Sequence, residues 1–349
     1  MSRALITGGA GFVGTNLAHR LASSGQGVTV LDNLARAGVE QNLDWLRERH
    51  GDQIRVIVGD VRDPARVRDA LSGCERAFHL AAQVAVTTSL HSPLEDHAVN
   101  VQGTLNLLEA ARALELPPAI VFTSTNKVYG RLENIKLRRD ERRYEPVSER
   151  LRTRGLPEHQ RLEFCSPYGC SKGAADQYVL DYAHSFGLRT CVFRMSCIYG
   201  PHQRGTEDQG WVAHFLLRAL AEEPITVFGD GAQARDLLNV ADLVDALCLA
   251  STDEQALRGE VFNMGGGPEN AVSVAEVIEA IGELTGEPPQ TLWDDWRVAD
   301  QRWYVSDTSR FRELTGWRPR VAVREGLAEL LECFCAERGL TPAFAARAS

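Results

Sequence analysis

Short runs of β-branched and other apolar residues alternate along much of the chain with longer stretches whose apolar positions recur at helical spacing. The short runs Ala4–Thr7, Val28–Leu31, Arg55–Val58, Ala77–Leu80, Ala119–Thr123 and Thr190–Phe193 predict strands. Stretches near Phe12–Ala22, Pro64–Leu71, Asn100–Leu114 and Tyr168–Phe186 predict the helices that separate most of them. This rhythm implies a doubly wound parallel sheet, in which ligands sit beyond the carboxyl ends of the strands. From Tyr199 the alternation loosens into shorter elements, predicting a smaller α/β C-terminal lobe. Val240–Ser251 and Val261–Asn263 read as a helix and a strand returning to the main sheet, and Asn263–Gly267 as a turn of the second lobe. The expected division is 1–194 with 236–263 for the first domain, 195–235 with 264–340 for the second, and an alanine-rich tail at 341–349.

The pattern breaks between Tyr129 and Ser166 into a charged segment of poor periodicity, with Arg138–Arg143 and Arg150–Arg154 as its most basic runs. It is too long for an ordinary connection. Both ends lead into segments that carry candidate chemistry, so 131–165 is expected to be a lid-like insertion.

Composition narrows the function. The 349 residues carry 44% hydrophobic residues and a net charge of -9 with a pI near 5.6, which suits a soluble small-molecule enzyme and disfavours nucleic acid or a membrane surface as partner. The first strand starts at Arg3, leaving no room for a signal peptide, and no apolar run approaches a membrane span, so a cytoplasmic location is expected. The eight cysteines show no CxxC pair and no regular spacing with histidine, so reduced thiols and no metal are expected.

Thr7-Gly-Gly-Ala-Gly-Phe-Val-Gly14 follows a strand and starts a helix, with glycines at 8, 11 and 14. Glycines there let backbone amides approach a pyrophosphate at a helix N-terminus, the Rossmann-type arrangement. Asp32 closes the next strand eighteen residues beyond Gly14, placed to accept from ribose hydroxyls and to repel a 2′-phosphate, so NAD is expected rather than NADP. Arg36 and Asp60-Val61 are candidates for the adenine end, and Ala81-Ala82 for close passage of the chain.

Tyr168 and Lys172 sit four apart on a predicted helix and therefore on one face. An ammonium beside the phenol would lower its pKa from about 10 toward neutrality. Thr125, at the end of a strand, could share a hydrogen bond with the same substrate oxygen.

The conjunction of Thr7–Gly14, Leu80-Ala-Ala-Gln83, Thr125, Tyr168, Lys172 and Tyr199-Gly-Pro201 resembles the extended short-chain dehydrogenase/reductase family, over nearly the whole chain. Members that dehydrate nucleotide sugars carry Thr-Asp-Glu before Val-Tyr-Gly, whereas this chain has Thr125-Asn126-Lys127 and so lacks the added acid and base. Dehydration and the related decarboxylation are disfavoured. Gln83–Ser89, Ser166–Tyr178, Asp208–Trp211 and the long insertion resemble the CDP-paratose (CDP-tyvelose) 2-epimerase group.

The resemblance implies that bound NAD oxidises carbon 2 of a nucleotide-diphospho-hexose to a transient ketone, which rotates and is reduced on its other face. Tyr168 would be the base, Thr125 would orient the oxygen, and Lys172 would hold the nicotinamide ribose and depress the tyrosine. The implied cofactor set is Gly8, Gly11, Phe12, Val13, Gly14, Asp32, Asn33, Arg36, Asp60, Val61, Leu80, Ala81, Ala82, Gln83 and Asn100, with Tyr168 and Lys172. The implied substrate set is Val86, Thr125, Asn126, Lys127, Cys197, Gln209, Trp211, Arg235, Arg297 and Asp300, with Arg235 and Arg297 on the diphosphate. A homodimer through the Asn100–Leu114 helix and the Tyr168 helix is implied, with a homotetramer open. Two alternatives stand: a UDP-glucose-type 4-epimerase, and a catalytically silent NAD-binding sensor or scaffold.

Overall fold

The computed structural model describes residues 2–340, so the expected tail lies outside the described residues. Strands β1 (Arg3–Thr7), β2 (Gly27–Asp32), β3 (Ile54–Val58) and β4 (Arg76–His79) alternate with α1 (Phe12–Ser23), α2 (Val39–His50) and α3 (Pro64–Leu71). Short helices α4 (Val86–His91) and α5 (Pro93–His97) lead to α6 (Gly103–Arg112) and β5 (Ala119–Thr125). A hairpin, β6 (Leu137–Arg139) and β7 (Tyr144–Pro146), and α7 (Glu149–Arg154) precede the long α8 (Pro167–Phe186), followed by β8 (Thr190–Met195). The remainder comprises β9 (Cys197–Tyr199), α9 (Trp211–Leu220), β10 (Ile225–Phe228), β11 (Ala234–Asn239), α10 (Val240–Ala250) and β12 (Arg258–Met264). It ends with β13 (Ala271–Ser273), α11 (Val274–Thr285), β14 (Thr291–Asp294), β15 (Trp303–Tyr304), α12 (Ser309–Thr315) and α13 (Val323–Arg338).

Seven parallel strands form the main sheet in the order β12-β8-β5-β4-β1-β2-β3. Winding reverses between β1 and β4, and the loops after those strands part there to open a crevice. Helices α1, α2 and α10 bury Leu17, Leu43 and Leu243 against one face, and α3, α6 and α8 bury Val67, Leu107 and Val179 against the other. Each such side chain contributes roughly 1.5–3 kcal/mol of burial. The helix that carries Tyr168 and Lys172 starts sharply: Ser166 Oγ accepts the Gly169 N–H at 3.1 Å, and Pro167 occupies the first helical position.

The smaller lobe packs α9, α11 and α13 around β10 through Phe215, Ile225, Ile281 and Leu331. Strand β11 pairs with β13, β15 and β9, so residues 236–239 belong to this second sheet and the chain recrosses at Asn239, whose side chain caps α10. Strand β12 pairs with β8 through Asn263↔Arg194 and Met264↔Met195. The turn expected at Asn263 therefore begins only after Met264.

The insertion is a strap across the smaller lobe, not a lid. None of residues 131–165 lines the cavity described below. Tyr144 donates to Asp230 at 2.7 Å, Arg142 pairs with Glu279 at 2.6 Å, and the Leu156 N–H donates to the Val305 carbonyl at 2.7 Å. Arg139, Arg142 and Arg143 pair with Asp230, Glu279 and Glu276, partners far along the chain, whereas Arg131 and Arg138 pair within the insertion.

Candidate active site

At the reversal between β1 and β4 lies a cavity of about 790 Å³ that runs from the end of β2, past the end of β5, to the smaller lobe. Gly8 sits there at φ 69°, in the left-handed region, and a Cβ would stand 2.8 Å from the Ala81 nitrogen. On Gly14 a Cβ would fall 2.3 Å from the Gly8 oxygen, so any side chain would force the loop apart. Helix α1 starts at Gly11 with no side-chain cap and no acidic residue in its first turn, and Gly11, Phe12 and Val13 face the cavity. Its free N–H groups and dipole favour an anion.

Asp32 reaches the same wall, its two oxygens accepting from Ala10 N at 3.0 Å and Leu34 N at 2.9 Å. Burial raises its pKa, while those amides and the nearby Arg36 pull it back. Asn33 donates to Asp60 at 2.8 Å, and Arg62, the main cause, clamps both Asp60 oxygens and holds the carboxyl at about 2. Val61, Leu80, Ala81 and Ala82 complete this end. Glycine cradle, bare helix start and acidic strand end together fit a dinucleotide. Gln83 and Asn100 do not line the cavity. Asn100 Oδ1 accepts Gln83 N at 2.9 Å, and Asn100 Nδ2 donates to Gln83 O at 3.1 Å and Ser171 Oγ at 3.0 Å. Both residues brace the loop after β4 from behind.

Thr125, Tyr168 and Lys172 all face the middle of the cavity. The Lys172 ammonium is turned toward β5. It donates to the Thr123 carbonyl at 2.7 Å and lies 4.1 Å from the centre of the Phe122 ring. Burial dominates both groups: it pushes Tyr168 up to about 12, with the Thr125 hydroxyl pulling back, and Lys172 down to about 7, with Asp176 and Asp96 opposing. Ser124 Oγ and Thr87 Oγ1 are buried on this wall without a hydrogen-bond partner among the described residues, positions where a polar ligand would bond.

In the smaller lobe the candidate substrate residues line the far end with Val86 and Asn126. Arg235 donates to Asp300 Oδ1 at 2.8 Å and to Gln301 O at 2.5 Å. Lys127 Nζ stands 3.4 Å from the same Asp300 oxygen and from Ala299 O. Arg297 pairs with Asp208 at 3.1 Å and lies 3.9 Å from the centre of the Phe228 ring. Trp211 Nε1 donates to Cys197 Sγ at 3.5 Å, and burial raises that thiol. Gln209 lines the cavity from a tight turn closed with Thr206.

Sequence reasoning passed over His79. Fully buried, it bonds Thr7 Oγ1 at 2.7 Å and Thr104 Oγ1 at 3.0 Å, and burial holds it at about 3, so it is a neutral brace under the glycine loop. A polar residue at the end of an apolar strand was the available signal. Phe228, Trp296 and Glu207 also line the cavity, and no local pattern marks them; Asp208, which opens the Asp208–Trp211 motif, lines it too.

A model of the NAD-dependent epimerase/dehydratase family matches residues 4–265. The chain belongs to that family. It is therefore an enzyme whose cofactor is NAD, as the motif resemblance implied. The CDP-paratose 2-epimerase of Salmonella typhi is 40% identical over 94% of this chain and 98% of that protein. The UDP-glucose 4-epimerase of Mycolicibacterium smegmatis is 34% identical over 95% of this chain and 98% of that protein. The crystal structure of Thermotoga maritima UDP-glucose 4-epimerase with UDP-glucose superposes with a TM-score of 0.82, at 31% identity, covering 96% of this chain and 99% of that one.

Proposed function

We propose that this family member is a nucleotide-sugar epimerase that inverts carbon 2 of a nucleotide-diphospho-hexose of the CDP-paratose/CDP-tyvelose type, acting in the cytoplasm as a homodimer. The observation that carries the reading is the site itself: Thr125, Tyr168 and Lys172 share one wall with the glycine cradle, while Asn126 and Lys127 replace the acid and base that water elimination requires. The 40% identity to a 2-epimerase supports carbon 2. The match to 4-epimerases keeps carbon 4 as the second reading.

NAD, when bound, supplies a reversible acceptor for the hydride of the sugar carbon, so the sugar passes through a 2-keto state with no net redox change. Tyr168, as the phenolate, takes and returns the hydroxyl proton at its phenolic oxygen; burial opposes that form, and the positive charge of oxidised nicotinamide would favour it when NAD is bound. Thr125 orients the sugar oxygen through Oγ1, which the Lys127 N–H holds at 3.2 Å. Lys172, anchored on β5, braces the Tyr168 turn and offers its remaining N–H donors to the ribose. Gly8, Gly11 and Gly14 admit the pyrophosphate, and Asp32 takes ribose hydroxyls. Arg235 and Arg297 serve the diphosphate, and Phe228 offers an aromatic face to the base. Exposed apolar side chains on the outer helices, such as Tyr178 and Phe186 on α8, support the dimer, which light scattering would test.

Isotope substitution tests the carbon. A substrate deuterated at carbon 2 is expected to turn over more slowly and to keep its label in the epimer. Slowing only when carbon 4 is deuterated overturns the assignment.

A further inference from the structure

Both arginines at the diphosphate end are already engaged by carboxylates. Arg297 pairs with Asp208 at 3.1 Å and stands 3.7 Å from Glu207, and Arg235 is bonded to Asp300 at 2.8 Å. Two guanidinium charges thus meet three carboxylates on one wall, and Asp294 and Asp295 add further negative charge at its rim. Such a surface repels a diphosphate. Lys127 is the remaining cation on this part of the wall, with its ammonium 3.4 Å from Asp300 Oδ1. The inner cluster is the better insulated: side-chain exposure is 22% for Lys127, 8% for Arg235 and 19% for Asp300, against about half for Glu207 and Asp208. Charges there are weakly screened. Arg235 and Asp300 alone sum to zero, and Lys127 gives the cluster a net positive charge.

We infer that Lys127 is the positioning residue for diphosphate: through Asp300 it leaves Arg235 free to serve a phosphate and supplies the positive excess that the Arg235–Asp300 pair lacks. The inference rests on the nucleotide-sugar reading above. It assigns Lys127 to the phosphates, not the hexose. Burial lowers the Lys127 pKa, and the adjacent Asp300 is the main influence opposing that fall. The same carboxylate therefore helps keep the ammonium charged.

The alternative is a mechanical role, since Lys127 ties the turn after β5 to the 299–301 loop. Calorimetric binding of CDP, UDP and cytidine to the NAD-loaded enzyme separates the two. Removing one charge a few ångströms from a phosphate in a partly buried site changes affinity by about 10- to 100-fold. Lys127→Met is expected to weaken CDP and UDP by that factor and cytidine by less than about twofold. Salt should also weaken CDP binding less in this variant than in wild type. Lys127→Arg is expected to retain CDP affinity. Lys127→Met combined with Asp300→Asn removes opposite charges together and is expected to recover most of it, which also guards against loss of folding. Equal weakening of CDP and cytidine by Lys127→Met, or a double variant no better than Lys127→Met, overturns the inference. A wild-type enzyme that binds none of CDP, UDP, dTDP and GDP overturns the nucleotide-sugar reading beneath it.

Discussion

Replacing Asp176 by asparagine tests whether the helix that carries the site is locked by a buried charge pair. Asp176 lies one turn beyond Lys172 on α8, and its carboxylate takes Arg194 Nε at 2.8 Å and Nη2 at 2.9 Å. Their side chains are 0% and 4% exposed. The free guanidinium nitrogen continues to Tyr129 at 3.1 Å, which donates to Asn263 at 2.7 Å, so the pair ties α8 and β8 to β12 and the strap. Removing one member of a buried pair leaves an uncompensated charge and costs about 3–5 kcal/mol. At about 2.1 cal/mol/K of unfolding entropy per residue, that lowers Tm by about 4–7 °C. Urea unfolding of Asp176→Asn, Arg194→Met and the double variant measures it, and the double variant is expected to be more stable than Asp176→Asn. A loss below about 1 kcal/mol in Asp176→Asn, or a double variant no more stable than it, would refute the reasoning.

Three other outcomes are expected. Gly14→Ala should lose bound NAD by more than tenfold, read as NAD released on denaturation, because its Cβ meets the Gly8 oxygen. Tyr168→Phe should lower kcat by about 10²–10⁴-fold while NAD remains bound, read by single-turnover kinetics. His79 is held near 3 by burial, against about 6.5 when unfolded, so the folded state binds fewer protons between those values and stability is lost as pH falls through that window. Urea midpoints at pH 7 and pH 5 should therefore differ more in wild type than in His79→Gln. Lys172, held at about 7, has the same sign higher up, with stability growing as pH rises from about 7 toward 10.5.

The nucleotide half of the site was legible in the chain because its signal is local. Glycines at 8, 11 and 14 fall between an apolar strand and a helix, where they suit a tight turn, and Asp32 follows at the end of the next apolar run. Helix α2 was not legible: its buried positions are only Val39, Asn42, Leu43 and Leu46 within a charged stretch, and no side chain caps its start. The strap illustrates the same limit. Its length and its flanking segments read as a lid, yet Asp230, Glu279 and Ser306, against which it docks, lie far along the chain. Spacing placed Lys172 and Tyr168 on one face correctly, but the direction of the ammonium is set by a carbonyl of β5. The pairing of Lys127 with Asp300 is likewise a product of tertiary structure.

The most direct measurement is the identity of the product. Purified enzyme, without added cofactor, is incubated with CDP-, UDP-, dTDP- and GDP-hexoses, CDP-paratose among them, and followed by NMR and mass spectrometry. Inversion at carbon 2 with no change of mass is the predicted result, and the substrates that react identify the base. Inversion only at carbon 4, or loss of water, would contradict the account.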